Sequence, residues 1–231
     1  TVSNSLGSHT SYYMSAVSQG GLPLPFQEDF ETPGSFDRWE VVSPDQEGWE
    51  LQQVSGNSPG NQAARSNLYF NTGNGPYELI SPTISFVNHS SVNMSFDYAY
   101  RGRGGNTNDT LRVYIATQCQ NNWTLLQEFY EDGTSNFVTS TPLNSNFVPS
   151  SSADWCGNAG FGLCKTVNLN AYDGLEGIRI KFEAGKAGGN NIYLDNINIS
   201  GNSSVAPTAA FSGPQQATCA LRPLTLTDQS Y

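Results

Sequence analysis

The segment GGNNIYLDNINIS, Gly188 to Ser200, carries four aliphatic residues at strand spacing with an Asp–Asn pair set among them. Side chains on a strand alternate between its two faces. Ile192 and Leu194 therefore share one face, while Ile197 and Ile199 fall on the face of Tyr193 and Asp195. The apolar phase slips at Asp195–Asn196, which indicates a β-bulge, a device that re-aims side chains beside sites. The segment is expected to close a sandwich against an early acidic segment, Pro25 to Glu31 (PFQEDFE), and to share a cation with it.

The clearest period-2 signal in the chain is Val92 to Tyr100, VNMSFDYAY. Val92, Met94, Phe96, Tyr98 and Tyr100 alternate with Asn93, Ser95, Asp97 and Ala99, as a central core strand requires. LRVYIAT (111–117) and WTLLQEFY (123–130) read as a hairpin, and GIRIKFEA (177–184) as a strand with Ile178, Ile180 and Phe182 on one face. Shorter strands are expected around FDRWEVV, GWELQQV, AARSNLYF (63–70) and YELI (77–80), each bounded by turn residues. Residues 131–153 are mostly Ser, Thr, Asn and Pro and form a long excursion. Ten to twelve strands without an amphipathic helix point to an all-β fold, a two-sheet antiparallel jelly-roll sandwich, with its first and last strands adjacent.

Of the 231 residues, 23 are Gly and 12 Pro and only 13% are charged, a composition suited to short strands and polar turns. Ten Lys and Arg against 20 Asp and Glu give a net charge of -10, which argues against a nucleic-acid partner. No apolar run is long enough to span a membrane, and TVSNSLGSHTSYY lacks the regions of a signal peptide, so any export signal is expected upstream or already removed. The four cysteines, Cys119, Cys156, Cys164 and Cys219, show no zinc-ligand spacing. Cys156 and Cys164 flank a glycine-rich loop that a disulfide would close in an oxidising compartment; the alternative is a pair of free buried thiols.

Three segments follow from these shifts in character. Residues 1–23 are a linker or the tail of a preceding domain, 24–200 the jelly-roll domain, and 201–231 a linker followed by the start of a second domain. The order PFQEDFE, FDRWEVV, GWEL, LISPTI, MSFDYAY, LRVYIA with NNWTLL, and finally NNIYLDNINI resembles the MAM-like, cleaved-adhesin modules of secreted Bacteroidetes proteins, found beside gingipains and pappalysin-like zinc metallopeptidases. The tail PTAAFSGPQQATCALRPLTLTDQSY is similar to the opening of a PKD domain. The resemblance implies a non-catalytic accessory module, secreted or at the cell surface, for adhesion or for docking of protein or substrate. Its partners would be neighbouring domains of the same polypeptide or an environmental protein or glycan. It also implies calcium where the EDFE and LDN segments converge. The Cys156–Cys164 insertion departs from the family pattern.

Calcium takes six to eight oxygen ligands, and Asp29, Glu31, Asp195 and Asn196 are the candidate set. Neither His9 nor His89 lies near a catalytic motif and HExxH is absent from the sequence, so no enzyme is expected in this chain. A carboxylate pair drawn from Asp97, Asp154, Asp173 and Glu183 is the one arrangement that would give hydrolysis. The alternative function is carbohydrate binding, with Trp39, Trp49, Trp123 and Trp155 as candidate aromatic platforms. A tryptophan on a sheet surface favours sugar binding; four buried ones favour a structural or adhesion module.

Overall fold

The computed structural model describes residues 21–45, 47–104, 109–117 and 122–205, together with the backbone of two short hairpins near the chain ends. Cys119, Cys219 and most of the PKD-like tail lie outside the described residues. Eleven strands build the sandwich: β1 (Phe26–Glu28), β2 (Glu40–Val42), β3 (Trp49–Gln53), β4 (Gln62–Ser66), β5 (Tyr77–Ile80), β6 (His89–Tyr100), β7 (Thr110–Ala116), β8 (Thr124–Tyr130), β9 (Lys165–Asn168), β10 (Arg179–Gly185) and β11 (Ile192–Ser203). One antiparallel sheet runs β8-β7-β10-β5-β2; the other runs β9-β6-β11-β4-β3, with β1 added beside β11. The backbone joins this fold from Leu22, whose amide donates to Thr83 O.

Both long strands, β6 and β11, lie at the centre of the six-stranded sheet, where their apolar residues are covered on one side by the second sheet. Val92, Met94, Phe96, Tyr98 and Tyr100 are each at most 1% exposed. Across the interface the Phe96 ring meets Phe182 edge-on at 5.2 Å, and Phe182 in turn meets Trp39 at 6.4 Å. In β11 the phase slip is a bulge. The register against β6 shifts between Asp195 and Asn198, and Asn196 has φ +48°, a left-handed conformation that Asn tolerates better than most residues. Ile192, Leu194, Ile197 and Ile199 thereby all enter the same core. Their burial stabilises the fold by roughly 1.5–3 kcal/mol each.

The bulge also marks a change of neighbour. Before it β11 pairs with β4 through Ile192–Leu194; after it β11 pairs with β1, Ile197 opposite Glu28 and Ile199 opposite Phe26. First and last strands of the sandwich are therefore adjacent, as expected.

Between β8 and β9 the polar excursion folds over the outer face of the six-stranded sheet. There Phe147 and Trp155 pack with Val54, Ala63, Ala99 and Tyr193 in a second, smaller cluster, and the Tyr193 hydroxyl donates to Phe147 O at 2.7 Å. Cys156 and Cys164 are joined in a disulfide with Cα atoms 4.9 Å apart, and the Cys156 amide donates to Tyr98 O. Because the bridge closes a short loop, replacing both cysteines by serine is expected to cost about 2–3 kcal/mol, read as a lower urea midpoint.

One local expectation changes. The strand expected over 63–70 ends at Ser66; the chain then turns, and Phe70 is 60% exposed. Short 3-10 turns, Phe36–Arg38, Ser152–Asp154 and Asn170–Tyr172, are the helical segments among the described residues.

A candidate cation site at the strand switch

Asp195 stands at the bulge on the outer face of the six-stranded sheet, directly opposite Asp97 of β6. It is 1% exposed. The two carboxylates are bridged by amides. Asn57 Nδ2 donates to Asp195 Oδ2 at 2.9 Å and to Asp97 Oδ2 at 3.2 Å, while Asn196 Nδ2 donates to Asp97 Oδ2 at 2.8 Å and to Ser58 O at 3.0 Å. The left-handed turn at Asn196 lets its own backbone amide donate to Asp195 Oδ1 at 2.7 Å. Asn57 and Ser58 belong to the β3–β4 loop, which folds over this end of the sheet.

Glu31 reaches the same loop from the other side. Its Oε1 accepts the amides of Asn61 (2.7 Å) and Gln62 (2.6 Å). The Glu31 side chain lies against Gly60, where a Cβ would stand 2.0 Å from Glu31 Cδ at a φ of +87°, so both space and backbone demand glycine there. Burial, with the nearby charges of Asp97 and Glu31, pushes the Asp195 carboxyl up to about 7, against the opposing hydrogen bonds from Asn196 and Asn57. Among the described residues no lysine or arginine forms an ion pair with Asp97, Asp195 or Glu31.

Of the four residues expected to hold a metal, Glu31, Asp195 and Asn196 meet at this loop. Asp29 sits to one side: its Oδ1 accepts the Glu31 amide at 3.1 Å, and it shares with Asn196 a cleft of about 390 Å³. The sequence reading had Asp97 only among the carboxylates considered for hydrolysis, not as a metal ligand, and missed Asn57. It also passed over Glu28, which is 3% exposed and accepts from Phe30 N (2.9 Å), Arg38 Nη2 (3.0 Å) and Trp39 Nε1 (3.1 Å). Alternation with Phe26 on β1 was the available signal that Glu28 faces inward. Asp195 is buried beside Asp97 with no cationic partner, and the side-chain amides of Asn57 and Asn196 now donate to the two carboxylates; turned about, those amides would add oxygens to the carboxylates and the Ser58 carbonyl, a donor set of the kind a hard divalent cation such as calcium takes. Cys156 Sγ lies 3.9 Å from Asp97 Oδ1, but its sulfur is held in the disulfide and offers no thiolate.

The four carboxylates considered for hydrolysis do not converge. Asp97 faces Asp195; Asp154 accepts the amides of Ser150 and Ser151; Asp173 accepts those of Ser91 and Val92; Glu183 lies on the second sheet. Three of the four candidate tryptophan platforms are likewise corrected. Trp39, Trp49 and Trp155 are 5%, 3% and 3% exposed, and their indole N–H groups donate to Glu28, Tyr77 O and Ser55 O. Apolar burial and an internal acceptor hold each of them within the fold. Trp123 alone of the four is half-buried, with Lys181 Nζ 5.0 Å and Arg179 Cζ 5.8 Å from its ring centroid.

No protein-family model and no curated protein matches the chain. Among solved structures it is similar to the K2 cleaved adhesin domain of Lys-gingipain, at 19% identity and a TM-score of 0.50, over 76% of this chain and 98% of that domain. The K1 cleaved adhesin domain of Lys-gingipain from Porphyromonas gingivalis W83 aligns at 21% identity and a TM-score of 0.49, over 77% and 98% of the respective chains. A carbohydrate-binding module, TmCBM61 in complex with β-1,4-galactotriose, aligns at 13% identity and a TM-score of 0.44, over 76% and 95%. The chain has a cleaved-adhesin-like fold.

Proposed function

We propose that this chain is a non-catalytic, extracellular accessory module of a larger secreted protein, working in adhesion or docking, whose first and last strands are stapled by one calcium ion. The observation that carries the reading is the Asp195–Asp97 pair at the point where β11 changes neighbour from β4 to β1. Asp195, Asp97 and Glu31 would hold the ion, with Asn57 and Asn196 able to turn amide oxygens toward it and Ser58 offering its carbonyl. Bound there, calcium neutralises the carboxylates and fixes the β3–β4 loop against the β1 end of the sheet. The disulfide suits an oxidising compartment. No described helix is long and apolar enough to cross a membrane. The MAM-like assignment, a PKD-like domain following residue 200 and a metallopeptidase parent belong to the same reading.

The test is elemental analysis of dialysed protein together with thermal melts with and without chelator. One bound calcium per chain and a melting temperature several degrees lower in chelator are expected, since a ligand at a hundred times its Kd adds about 2.7 kcal/mol. Calcium-free protein whose melting temperature ignores both chelator and added calcium would overturn it.

A further inference from the structure

The two sheets are finished differently on their outer sides. The excursion lays Phe147 and Trp155 over the outer face of the six-stranded sheet; on the outer face of the five-stranded one the central Lys181, Glu183 and Ile80 are buried, and the exposed apolar groups lie along its β8 edge, at Leu125 and Tyr130. Register sets the outward side chains of that face in rows. Glu128, Arg112, Glu183 and Glu78 follow one another across β8, β7, β10 and β5, and beside them run Leu125, Tyr114, Lys181 and Ile80. The charges are tied together: Arg112 donates to Glu128 at 2.6 Å and to Glu183 at 3.0 Å, Lys181 to Glu78 at 2.5 Å, and Arg179 pairs with Glu40. Four carboxylates against three cations leave this face one negative charge, in a chain whose net charge is -10.

Aromatic and apolar groups lie among these pairs. Lys181 Nζ stands 4.5 Å from the Tyr114 ring centroid and 5.0 Å from that of Trp123, so the indole is pinned at the sheet surface just before β8. Leu125 is 49% exposed beside Tyr114. At the far end of β8, Tyr130 is 48% exposed and lines a cleft of about 790 Å³ with Arg103, Glu128, Asp132, Ser140 and Thr141. Strand rise puts roughly 20 Å between the Trp123 and Tyr130 ends of this track.

We propose that the track along β8, from Trp123 to the Tyr130 cleft, binds an uncharged oligosaccharide. A sugar has an apolar C–H face that stacks on exposed rings and a rim of hydroxyls that both donate and accept. Carboxylates already fixed by arginine and lysine keep lone pairs for those hydroxyls and cost no further ordering on binding. A polyanion would meet no excess of positive charge here, and an apolar peptide would bury the ion pairs without compensating hydrogen bonds. The proposal goes beyond the cation reading and is independent of it, because the track lies on the opposite sheet.

Calorimetric and fluorescence titrations of the full chain with cellohexaose, xylohexaose, mannohexaose and galactohexaose, with heparin as the charged comparison, test it. At least one neutral hexasaccharide should bind one to one and shift the tryptophan emission. Trp123→Ala should weaken that binding about tenfold or more, Tyr130→Ala should weaken it too, and Leu51→Ala, on β3 of the other sheet, should not; a cooperative melt confirms that each variant is folded. Running each titration with calcium and with chelator separates failure here from failure at the cation site. Binding of none of the four sugars, binding of heparin alone, or binding that survives Trp123→Ala in folded protein would overturn the proposal.

Discussion

Asp195→Asn is expected to make the metal-free protein more stable near pH 8 and to erase its response to calcium. In the metal-free wild type the folded Asp195 carboxyl titrates at about 7, well above its ordinary value, because of burial and then the charges of Asp97 and Glu31. A raised carboxyl contributes stability that is fully present below the unfolded pKa, about 3.9, and is lost as pH rises through the folded value. The difference is of order 4 kcal/mol at most, spread between about pH 4 and pH 7. Asparagine keeps an oxygen to accept the Asn196 amide and has no charge to desolvate; its NH2 replaces the oxygen that accepts from Asn57, whose side-chain amide turns to accept from it. The variant in chelator should thus match wild type near pH 4 and melt several degrees higher at pH 8. With calcium the order reverses, since wild type gains the ion and the variant does not. Equal metal-free stability of the two proteins at pH 8 would contradict the buried-charge account.

Glu28→Ala is expected to be among the most damaging single truncations at the β1 end of the sandwich. Its carboxylate is the shared acceptor of the Phe30 amide, the Trp39 indole and Arg38. Removing it leaves the first two buried without an acceptor, at about 1–3 kcal/mol each, and opens a gap beside Phe26, Phe30 and Trp39, whose rings lie 5.8–6.2 Å apart. A loss of about 3–5 kcal/mol follows, comparable to breaking a buried pair. Asp29→Ala, one residue along, removes only a part-buried acceptor for the Glu31 amide and should cost under about 1 kcal/mol. Urea unfolding of both variants decides the matter; similar losses at the two positions would show that Glu28 does not organise this corner.

These contrasts show what can be read from sequence here. Alternation in VNMSFDYAY located the core strand and its inward face correctly, because one buried and one mixed face leave a period-2 record. The slip at Asp195–Asn196 was legible for the same reason, as a break in that record. Asp97 was legible as a polar residue on the second face of β6 and as one of several carboxylates that could converge; its pairing with Asp195 depends on the register of two strands about a hundred residues apart, which no local pattern encodes. Glu28 and Glu31 look alike in EDFE, yet one points into the core and the other at the β3–β4 loop. The tryptophans failed as platforms because an indole with an internal acceptor packs as readily as phenylalanine, and acceptors such as Tyr77 O and Ser55 O come from segments distant in sequence. Trp123 kept its place at the surface because its neighbours on β10, Arg179 and Lys181, are charged.

Calorimetric titration of calcium into metal-stripped protein, beside Asp195→Asn under the same conditions, tests the strand-staple account most directly. The account predicts one site per wild-type chain and no measurable heat of binding in the variant. A wild-type chain that binds no calcium, or a variant that binds it as tightly as wild type, would contradict it.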